Sequence, residues 1–251
     1  MKKVLKKIAK HFKNQLEFVF NFESRFISKW NSAAHKRLMF AQWALDPQPE
    51  FFDHHIDLNY QWTNTRNPLW VERGVFGALA LKGNSVLELA CGDGFNAKNF
   101  YSIKSKNIIA CDFDPKAISV AITKNHAPNF KFIIADIRTN MPDGKFENII
   151  WDAAIEHFTP LEITEIMINI KKRLVSDGVL SGYTIVEKPD GKMQNPHHEY
   201  EFLNMSDLKR FLTPHFKNVK VFETIYSTRH NLYFWASDNT LPFDENWEHS
   251  I

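Results

Sequence analysis

Short apolar runs alternate with stretches of helical periodicity along most of the chain after residue 68. Such runs between turn residues are typical of strands in a buried parallel sheet, and apolar positions three or four apart indicate helices. The pattern predicts strands at residues 86–90, 107–112, 130–135, 146–151, 179–186 (after a turn at Asp177-Gly178), 219–225 and 231–236, and helices at 69–81, at 161–174, after Asp114-Pro115 and after a capping Ser206.

This alternation predicts an α/β fold with a doubly wound, mostly parallel, seven-stranded sheet. The last two strands are too close together for a crossover helix, so they are expected to form a C-terminal antiparallel hairpin. Ahead of the sheet, we expect an N-terminal helical extension over residues 1–67. The α/β domain then covers residues 68–240, and residues 241–251 form a tail.

The extension is predicted to contain two helices. Apolar residues at helical spacing over residues 2–20 alternate with six lysines, which indicates a basic amphipathic helix. Residues 31–45 form a second helix, which Pro47 and Pro49 end. A basic amphipathic helix can lie on an anionic membrane or a nucleic-acid backbone, but more often it packs on its own domain. We therefore expect no more than weak peripheral membrane contact through residues 2–20.

Composition indicates where the protein is located and which partners it has, but it says little about the chemistry. The 251 residues carry a net charge of +2, so nothing global requires a nucleic-acid partner. The two cysteines, Cys91 and Cys111, lack metal-ligand spacing, and their scarcity favours a reducing, cytoplasmic location. No apolar run is long enough to cross a bilayer, and the lysine-rich N-terminus does not resemble a secretory signal.

The most informative stretch is the glycine turn that follows the first predicted strand. Gly92 and Gly94 let a ligand approach the bare backbone, and a helix opens directly afterwards with its unpaired N–H groups. The turn also fits a dinucleotide fingerprint, which is weak evidence on its own. Glu88, at the end of the buried strand, distinguishes the two readings: a carboxylate is unwelcome beside a pyrophosphate but suits a ligand with an amino group or a sulfonium.

At this point the chain resembles the class I S-adenosylmethionine-dependent methyltransferases, whose first motif has the form E/D-x-G-x-G-x. The resemblance covers about residues 70–240, and 146–157 resembles the family's fourth motif, with Glu156-His157 as its common Glu-His pair. It implies that S-adenosylmethionine binds at the carboxyl edge of the sheet and leaves as S-adenosylhomocysteine. The implied cofactor contacts are Glu88, Ala90, Gly92, Gly94, Asn96, Asp112, Phe113, Asp136, Ile137 and Asp152.

The resemblance also implies individual roles for these residues. The two oxygens of Asp112 would accept hydrogen bonds from both ribose hydroxyls. Phe113 would lie against the adenine face, Asp136 would take the adenine amino group and Ile137 would pack on the ring. Asn96 and the backbone around the glycines would hold the methionine end.

The segment ahead of the α/β domain is expected to supply a lid over the cofactor. In the resembled family an aromatic residue and an arginine of such a segment reach the methionine carboxylate, for which Tyr60, Trp62 and Arg66 are the candidates here.

Catalytic groups are expected after the fourth and fifth strands. His198 belongs to a His-x-x-Glu-Phe element resembling one found in small-molecule and glycan methyltransferases, and it is our expected general base, with His157 behind it. A role in holding the loop is the alternative for both histidines.

No metal site is expected from the sequence. The adjacent His54 and His55, with Asp53 and Asp57, would diverge by about 100° on a helix. Asp152, Glu156 and His157 would be a second set, but Ala153 stands where related quinone methyltransferases carry an additional acid.

These observations favour an enzyme that methylates a small molecule at an oxygen atom. The segment Trp151-Asp152-Ala153-Ala154 replaces the Asn/Asp-Pro-Pro-Tyr motif of base-methylating enzymes, so nucleic acid is not the expected partner. RNA ribose or protein acceptors, a catalytically silent cofactor-binding module and a nicotinamide-dependent oxidoreductase are the alternatives.

Overall fold

The computed structural model describes residues 2–45, 48–49, 51, 54, 61–62 and 66–241. The chain forms two compact units, one within residues 1–49 and 55–66 and the other within 50–54 and 67–251. In the first unit, helix α1 runs without interruption through Lys2–Trp43. The prediction of two separate helices was wrong, because residues 21–30 contain neither glycine nor proline and nothing breaks the helix there. Within the described residues, no helix has both the length and the apolar character that crossing a bilayer requires.

The second unit is built on a seven-stranded sheet with the order β3-β2-β1-β4-β5-β7-β6. Strands β1 to β5 pair in parallel, and β7 runs antiparallel to both β5 and β6, which confirms the predicted hairpin. The strands are β1 Ser85–Leu89, β2 Asn107–Asp112, β3 Phe130–Ile134, β4 Phe146–Asp152, β5 Leu174–Ile185, β6 Asn218–Tyr226 and β7 Arg229–Ser237. The helices are α2 Leu69–Leu79, α3 Phe95–Asn99, α4 Pro115–Lys124, α5 Pro160–Arg173 and α6 Met205–Leu212, with 3₁₀ turns at Tyr101–Ile103 and Ile155–His157.

Local signals in the sequence explain most of these boundaries. Helix α4 begins after Asp114, whose side chain accepts a hydrogen bond from the Lys116 backbone N–H at 2.8 Å. Helix α5 begins at a capping box in which Thr159 and Glu162 satisfy each other's backbone N–H groups. Each cap fixes where the chain turns away from the carboxyl edge of the sheet.

Two predicted boundaries were wrong. Asp177 and Gly178 lie inside β5, because the β4–β5 pairing steps from Phe146↔Leu174 to Asn148↔Val179 and the extra residues bulge without breaking the strand. Helix α6 is capped by Asn204 instead of Ser206; the Asn204 side chain accepts a hydrogen bond from the Asp207 N–H at 3.0 Å. Asparagine and serine cap about equally well, so composition alone does not choose between them.

The core lies on both faces of the sheet, as a doubly wound fold requires. Leu87 and Leu89 of β1 belong to a cluster that includes Ile166 of α5 and Leu208 of α6. Val86, on the opposite face of the same strand, belongs to a second cluster with side chains of α4 and the first 3₁₀ turn. β1 is therefore a central, buried strand, and the turn that follows it emerges in the middle of the carboxyl edge.

Candidate active site

The turn after β1 has the backbone conformation that glycine permits. Gly92 and Gly94 have φ values of +55° and +72°, and Ala90 also takes a left-handed conformation at φ +52°. A Cβ added at Gly94 would stand 2.7 Å from the ring of Phe132. The turn thus keeps bare backbone at the carboxyl edge of β1. Of the three cofactor contacts predicted in this turn, Ala90, Gly92 and Gly94, only Ala90 carries a side chain.

Asp112, at the end of β2, is tied to this turn. One carboxylate oxygen accepts the Gly92 backbone N–H and the other accepts the Asp114 N–H, both at 2.9 Å. Burial raises the pKa of Asp112 above its usual value, and the two backbone hydrogen bonds act in the opposite direction. Each oxygen retains acceptor capacity beyond its backbone bond, as a partner with two hydroxyls requires.

Glu88 is a buried acid in an environment of other acids. Its side chain is 2% exposed, and its Oε2 atom has no hydrogen-bond partner among the described residues. Burial, followed by the nearby charges of Asp152 and Asp93, raises the pKa of Glu88 well above its ordinary value. A bound cationic group would offset the negative charge of these acids and give the unpaired Oε2 of Glu88 a hydrogen-bond partner. The surroundings of Glu88 therefore fit a ligand that is positively charged at this end.

The predicted site residues Asp152 and Asn96 are linked to an arginine that sequence reasoning missed. The Nε and Nη2 atoms of Arg73 donate to Oδ2 of Asp152 at 2.9 and 2.7 Å, and Nδ2 of Asn96 donates to the same oxygen at 3.0 Å. Burial disfavours the guanidinium charge, but Asp152 raises the pKa of Arg73 above its ordinary value. Arg73 sits four residues after Leu69 on the buried face of α2, and a charge on an apolar helical stripe is the signal that could have revealed it.

A second unpredicted pair, His54 and Asp93, lies at the glycine turn. His54 donates its backbone N–H to Asp93 at 3.1 Å, and its Nδ1 lies 2.8 Å from the other Asp93 oxygen. The imidazole stacks on Phe95 and meets the edge of Trp70. Burial acts to raise the pKa of Asp93, but the hydrogen bonds from His54 outweigh it and the pKa is lowered. Asp93 therefore anchors residue 54 to the turn.

The side expected to hold adenine shows two kinds of surface. Phe113 is 58% exposed beside Asp112, with a free ring face for stacking. Ile137 is buried in the core. Asp136 is engaged by the guanidinium of Arg138, which lowers its pKa, with Nη2 at 2.7 Å from Oδ2. The role of Asp136 toward an adenine amino group stays a prediction, and it requires that this carboxylate share its oxygens with Arg138.

The two predicted catalytic histidines meet at the carboxyl edge between β4 and β5. Nδ1 of His157 lies 2.9 Å from the His197 carbonyl oxygen, and Nδ1 of His198 lies 2.5 Å from Oε1 of Glu201. Their rings are edge to face with centroids 4.8 Å apart. Both histidines are therefore oriented through Nδ1, and their Nε2 atoms are left for other partners.

Several of the sequence-based predictions concern the lid. Tyr60, together with Asp53, His55 and Asp57, lies outside the described residues. Within the first unit, the guanidinium of Arg66 lies 6.0 Å from the ring centroid of Trp62, and both residues are exposed. Their role toward a cofactor carboxylate stays a prediction.

Comparisons with known proteins find a sequence relative that is a methyltransferase. A malonyl-[acyl-carrier protein] O-methyltransferase of Bacillus cytotoxicus is 28% identical over 96 residues, which cover 38% of this chain and 33% of that protein. The chain thus matches only about a third of the length of this curated relative.

Solved structures resemble this chain over a larger share of its length. A complex of DhpI with S-adenosylhomocysteine has a TM-score of 0.57 at 16% identity, covering 84% of this chain and 96% of that one. The N-methyltransferase NodS of Bradyrhizobium japonicum has a TM-score of 0.55 at 17% identity, covering 68% and 96%. At these identities the likeness concerns the fold. Residues 86–178, which include the glycine turn, Asp112, Asp152 and the Glu156-His157 pair, match the family described as "Methyltransferase domain". Over residues 86–178 the chain is therefore similar to a methyltransferase domain, and its fold is that of the class I S-adenosylmethionine-dependent methyltransferases.

Proposed function

We propose that this protein is an enzyme that transfers the methyl group of S-adenosylmethionine to an oxygen atom of a small molecule. The observation that supports this most directly is the orphaned, buried carboxylate oxygen of Glu88 beside a turn that keeps bare backbone at Gly92 and Gly94. A pyrophosphate would add negative charge next to Glu88, whereas a ligand with an ammonium and a sulfonium would neutralise it.

The residues around the turn can hold such a cofactor along its whole length. Asp112 offers its remaining acceptor sites to the ribose hydroxyls, and Phe113 offers an exposed ring to the adenine. Oδ1 of Asn96 is buried and without a partner among the described residues, so it can accept from an amino group at the methionine end. When bound, the cofactor supplies a methyl group on a positively charged sulfur and leaves as S-adenosylhomocysteine.

The acceptor half of the site is formed by the segments after β4 and β5. Methyl transfer requires an acceptor atom in line with the methyl–sulfur bond, and alignment of this kind can contribute about 7–11 kcal/mol in well-oriented cases. An alcohol or phenol must also lose its proton, and the Nε2 atoms of His198 and His157, whose rings are oriented through Nδ1, are the candidate proton acceptors at this edge. The Glu201 carboxylate accepts a hydrogen bond from Nδ1 of His198 and so fixes the tautomer and the orientation of the ring.

Oxygen as the acceptor atom is supported by this histidine pair and by the similarity to a malonyl-[acyl-carrier protein] O-methyltransferase. The fold alone does not specify the atom, since NodS is an N-methyltransferase. The net charge of the chain favours a small acceptor over RNA. An RNA substrate would call for a strong positive charge, whereas the whole chain carries a net charge of +2.

The test combines calorimetry with a turnover assay. We expect the full chain to bind S-adenosylhomocysteine and not NAD, and to release S-adenosylhomocysteine from S-adenosylmethionine when hydroxylated or carboxylated small molecules are added. Binding of NAD alone would overturn the proposal. Cofactor binding without turnover on any class of acceptor would identify a silent binding module. Transfer to RNA or protein alone would replace the small-molecule assignment.

We also propose a cytoplasmic protein whose helix α1 touches the anionic inner surface of a membrane. The two cysteines are buried free thiols, which suits a reducing compartment. Apolar side chains on one face of α1 are exposed, among them Phe12 at 62% and Val19 at 55%. Residues 2–20 carry six lysines and one acid, so an anionic surface complements this helix.

Vesicle flotation of the full chain tests this membrane contact. Phe12 and Asn14 lie about 200° apart around the helix, so Phe12→Glu and Asn14→Glu add the same charge to opposite faces. We expect binding to vesicles containing anionic lipid, a severe loss with Phe12→Glu and a smaller one with Asn14→Glu. Equal losses would contradict an inserted apolar face. A concentration-dependent dimer abolished by Phe12→Glu would identify a self-association surface instead.

A further inference from the structure

The carboxyl edge between β4 and β5 brings together three side chains that can bind a metal ion. Glu156 and His157 belong to the 3₁₀ turn that follows β4, and His198 belongs to the loop that follows β5. One ligand atom from each of the three lies within 4.8 Å of the other two. Two donors bound at the usual lengths of about 2.0–2.2 Å lie at most about 4.4 Å apart, so small side-chain rotations complete the approach of the three donors to a common ion.

Both histidines are held as metal-binding histidines usually are. A ligating imidazole typically gives its other ring N–H to a carbonyl or a carboxylate, which fixes the tautomer and strengthens the ligating nitrogen. Nδ1 of His157 faces the His197 carbonyl, and Nδ1 of His198 faces Glu201. Glu201 is itself 4% exposed and accepts the Gln194 backbone N–H at 2.6 Å. This support leaves both Nε2 atoms as the available ligands.

The third ligand is positioned as firmly as the histidines. Glu156 is 3% exposed, and its Oε2 accepts a hydrogen bond from Oγ1 of Thr184 at 3.0 Å, which leaves Oε1 available. The Glu156 carbonyl oxygen accepts the backbone N–H groups of Glu199 and Tyr200 at 2.9 and 3.1 Å. These bonds tie the loop that carries His198 to the turn that carries the other two ligands, so the two segments are held together in the absence of an ion.

Asp152 does not take part in this arrangement. The sequence suggested it as the partner of Glu156 and His157, but its carboxylate is committed to Arg73 and Asn96. His198, 41 positions further along the chain than His157, takes that place. A pattern search around Asp152 alone would therefore miss the set.

We propose that Glu156, His157 and His198 bind one divalent transition-metal ion, with two nitrogens and one oxygen from the protein and the remaining positions open to a substrate or water. Two imidazoles and one carboxylate form a donor set that suits Zn²⁺ or Fe²⁺ better than Mg²⁺, which prefers oxygen ligands. This inference rests on the proposed function and deepens it: a bound ion would supply Lewis acidity that lowers the pKa of an acceptor hydroxyl, whose proton would pass to water, and the two histidines would then serve as ligands of the ion instead of as proton acceptors.

Metal binding can be measured without turnover. Full-length protein, stripped with a chelator, is titrated with Zn²⁺ by calorimetry and with Co²⁺ by visible absorption. We expect one ion per chain, with affinity lowered more than about 100-fold in His157→Ala and His198→Ala, and about 10- to 100-fold in Glu201→Gln, which weakens the support of His198 and leaves all three ligands in place. His230→Ala is the matched control, because His230 pairs with Glu223 at 2.8 Å on β6 and β7, away from the ligands.

A measurement on the unaltered chain guards against variants that fail to fold. Bound Co²⁺ should give two paramagnetically shifted, exchangeable imidazole protons, those on Nδ1 of the two ligating histidines. Absence of saturable binding by the wild-type chain, or the same affinity in the histidine variants as in His230→Ala, would overturn the proposal. If metal binding fails but methyl transfer persists, only this inference falls; if the ion binds but no methyl is transferred, the proposed function falls instead.

Discussion

Replacing Asp112 by asparagine should weaken S-adenosylhomocysteine binding by an amount that the structure allows us to estimate. An ionised carboxylate offers about four acceptor sites. The backbone N–H groups of Gly92 and Asp114 use one on each oxygen, which leaves room on each for one ribose hydroxyl. Asparagine converts one oxygen into a donor, so one hydroxyl bond is lost together with one backbone bond.

The expected size of this loss follows from the charge on the acceptor. A hydrogen bond to an ionised group contributes about 1.5–3 kcal/mol, which corresponds to about 10- to 100-fold in Kd. Loss of the tie to Gly92 also relaxes the turn, so this range is a lower bound. Alanine, which strands both hydroxyls, should weaken binding at least as much, by an order of magnitude or more.

Isothermal titration calorimetry with S-adenosylhomocysteine measures the effect, and Asp114→Asn is the matched control. The Asp114 side chain caps α4, and asparagine caps about as well as aspartate, so this variant should bind normally. A 2′-deoxy analogue closes a double-mutant cycle, because its penalty should shrink in Asp112→Asn. A change in Kd below about threefold in a folded Asp112→Asn protein would refute the ribose assignment.

Three further outcomes are expected elsewhere in the site. Glu88→Gln should raise the thermal midpoint of the ligand-free protein at neutral pH and weaken S-adenosylmethionine binding. The pKa of Glu88 is higher in the folded protein than in the unfolded chain. Ionisation of Glu88 therefore destabilises the fold progressively as the pH rises above the unfolded pKa of about 4.3. Between pH 5 and 8, the thermal midpoint should therefore depend less on pH in the variant than in the wild-type protein. Parallel curves of thermal midpoint against pH would contradict the burial of an ionisable Glu88. His198→Ala should lower kcat by about 10²- to 10⁴-fold with an unchanged Kd for S-adenosylhomocysteine, and full turnover across pH would remove it from the acceptor site. Arg73→Met should lower the free energy of unfolding in urea by about 3–5 kcal/mol because it strands the buried Asp152 carboxylate, and Asp152→Asn in the same chain should recover most of this; no recovery would mean that Arg73 acts through packing.

The fold and the position of the candidate cofactor residues at the strand ends could be predicted because their signals are local. Gly92, Gly94 and Asp112 lie next to strand ends, and strand ends follow from apolar runs bounded by turn residues. The same locality explains the errors. Nothing within residues 21–30 starts or stops a helix, so the continuity of α1 depends on the absence of a signal, which is easily overlooked.

The pairs that tune the site could not be predicted, because they join distant parts of the sequence. Arg73 and Asp152 are 79 positions apart, and His54 and Asp93 are 39 apart. No spacing rule links residues at such distances; only the burial of an unmatched charge in the folded chain shows that a partner is needed. The joining of Glu156 and His198 likewise depends on how the loop after β5 folds back onto the turn after β4.

The order of the strands separates the two halves of this site along the gene as well as in space. Apart from Asp152 at the end of β4, the sheet groups assigned to the cofactor lie at the ends of β1, β2 and β3, whereas the groups facing the acceptor follow β4 and β5. The stretch from 187 to 203 can therefore accumulate substitutions, or be exchanged for another sequence, without altering the first half. Such modularity makes new acceptor specificities accessible by recombination of a single loop, and it gives protein engineers a defined segment to randomise.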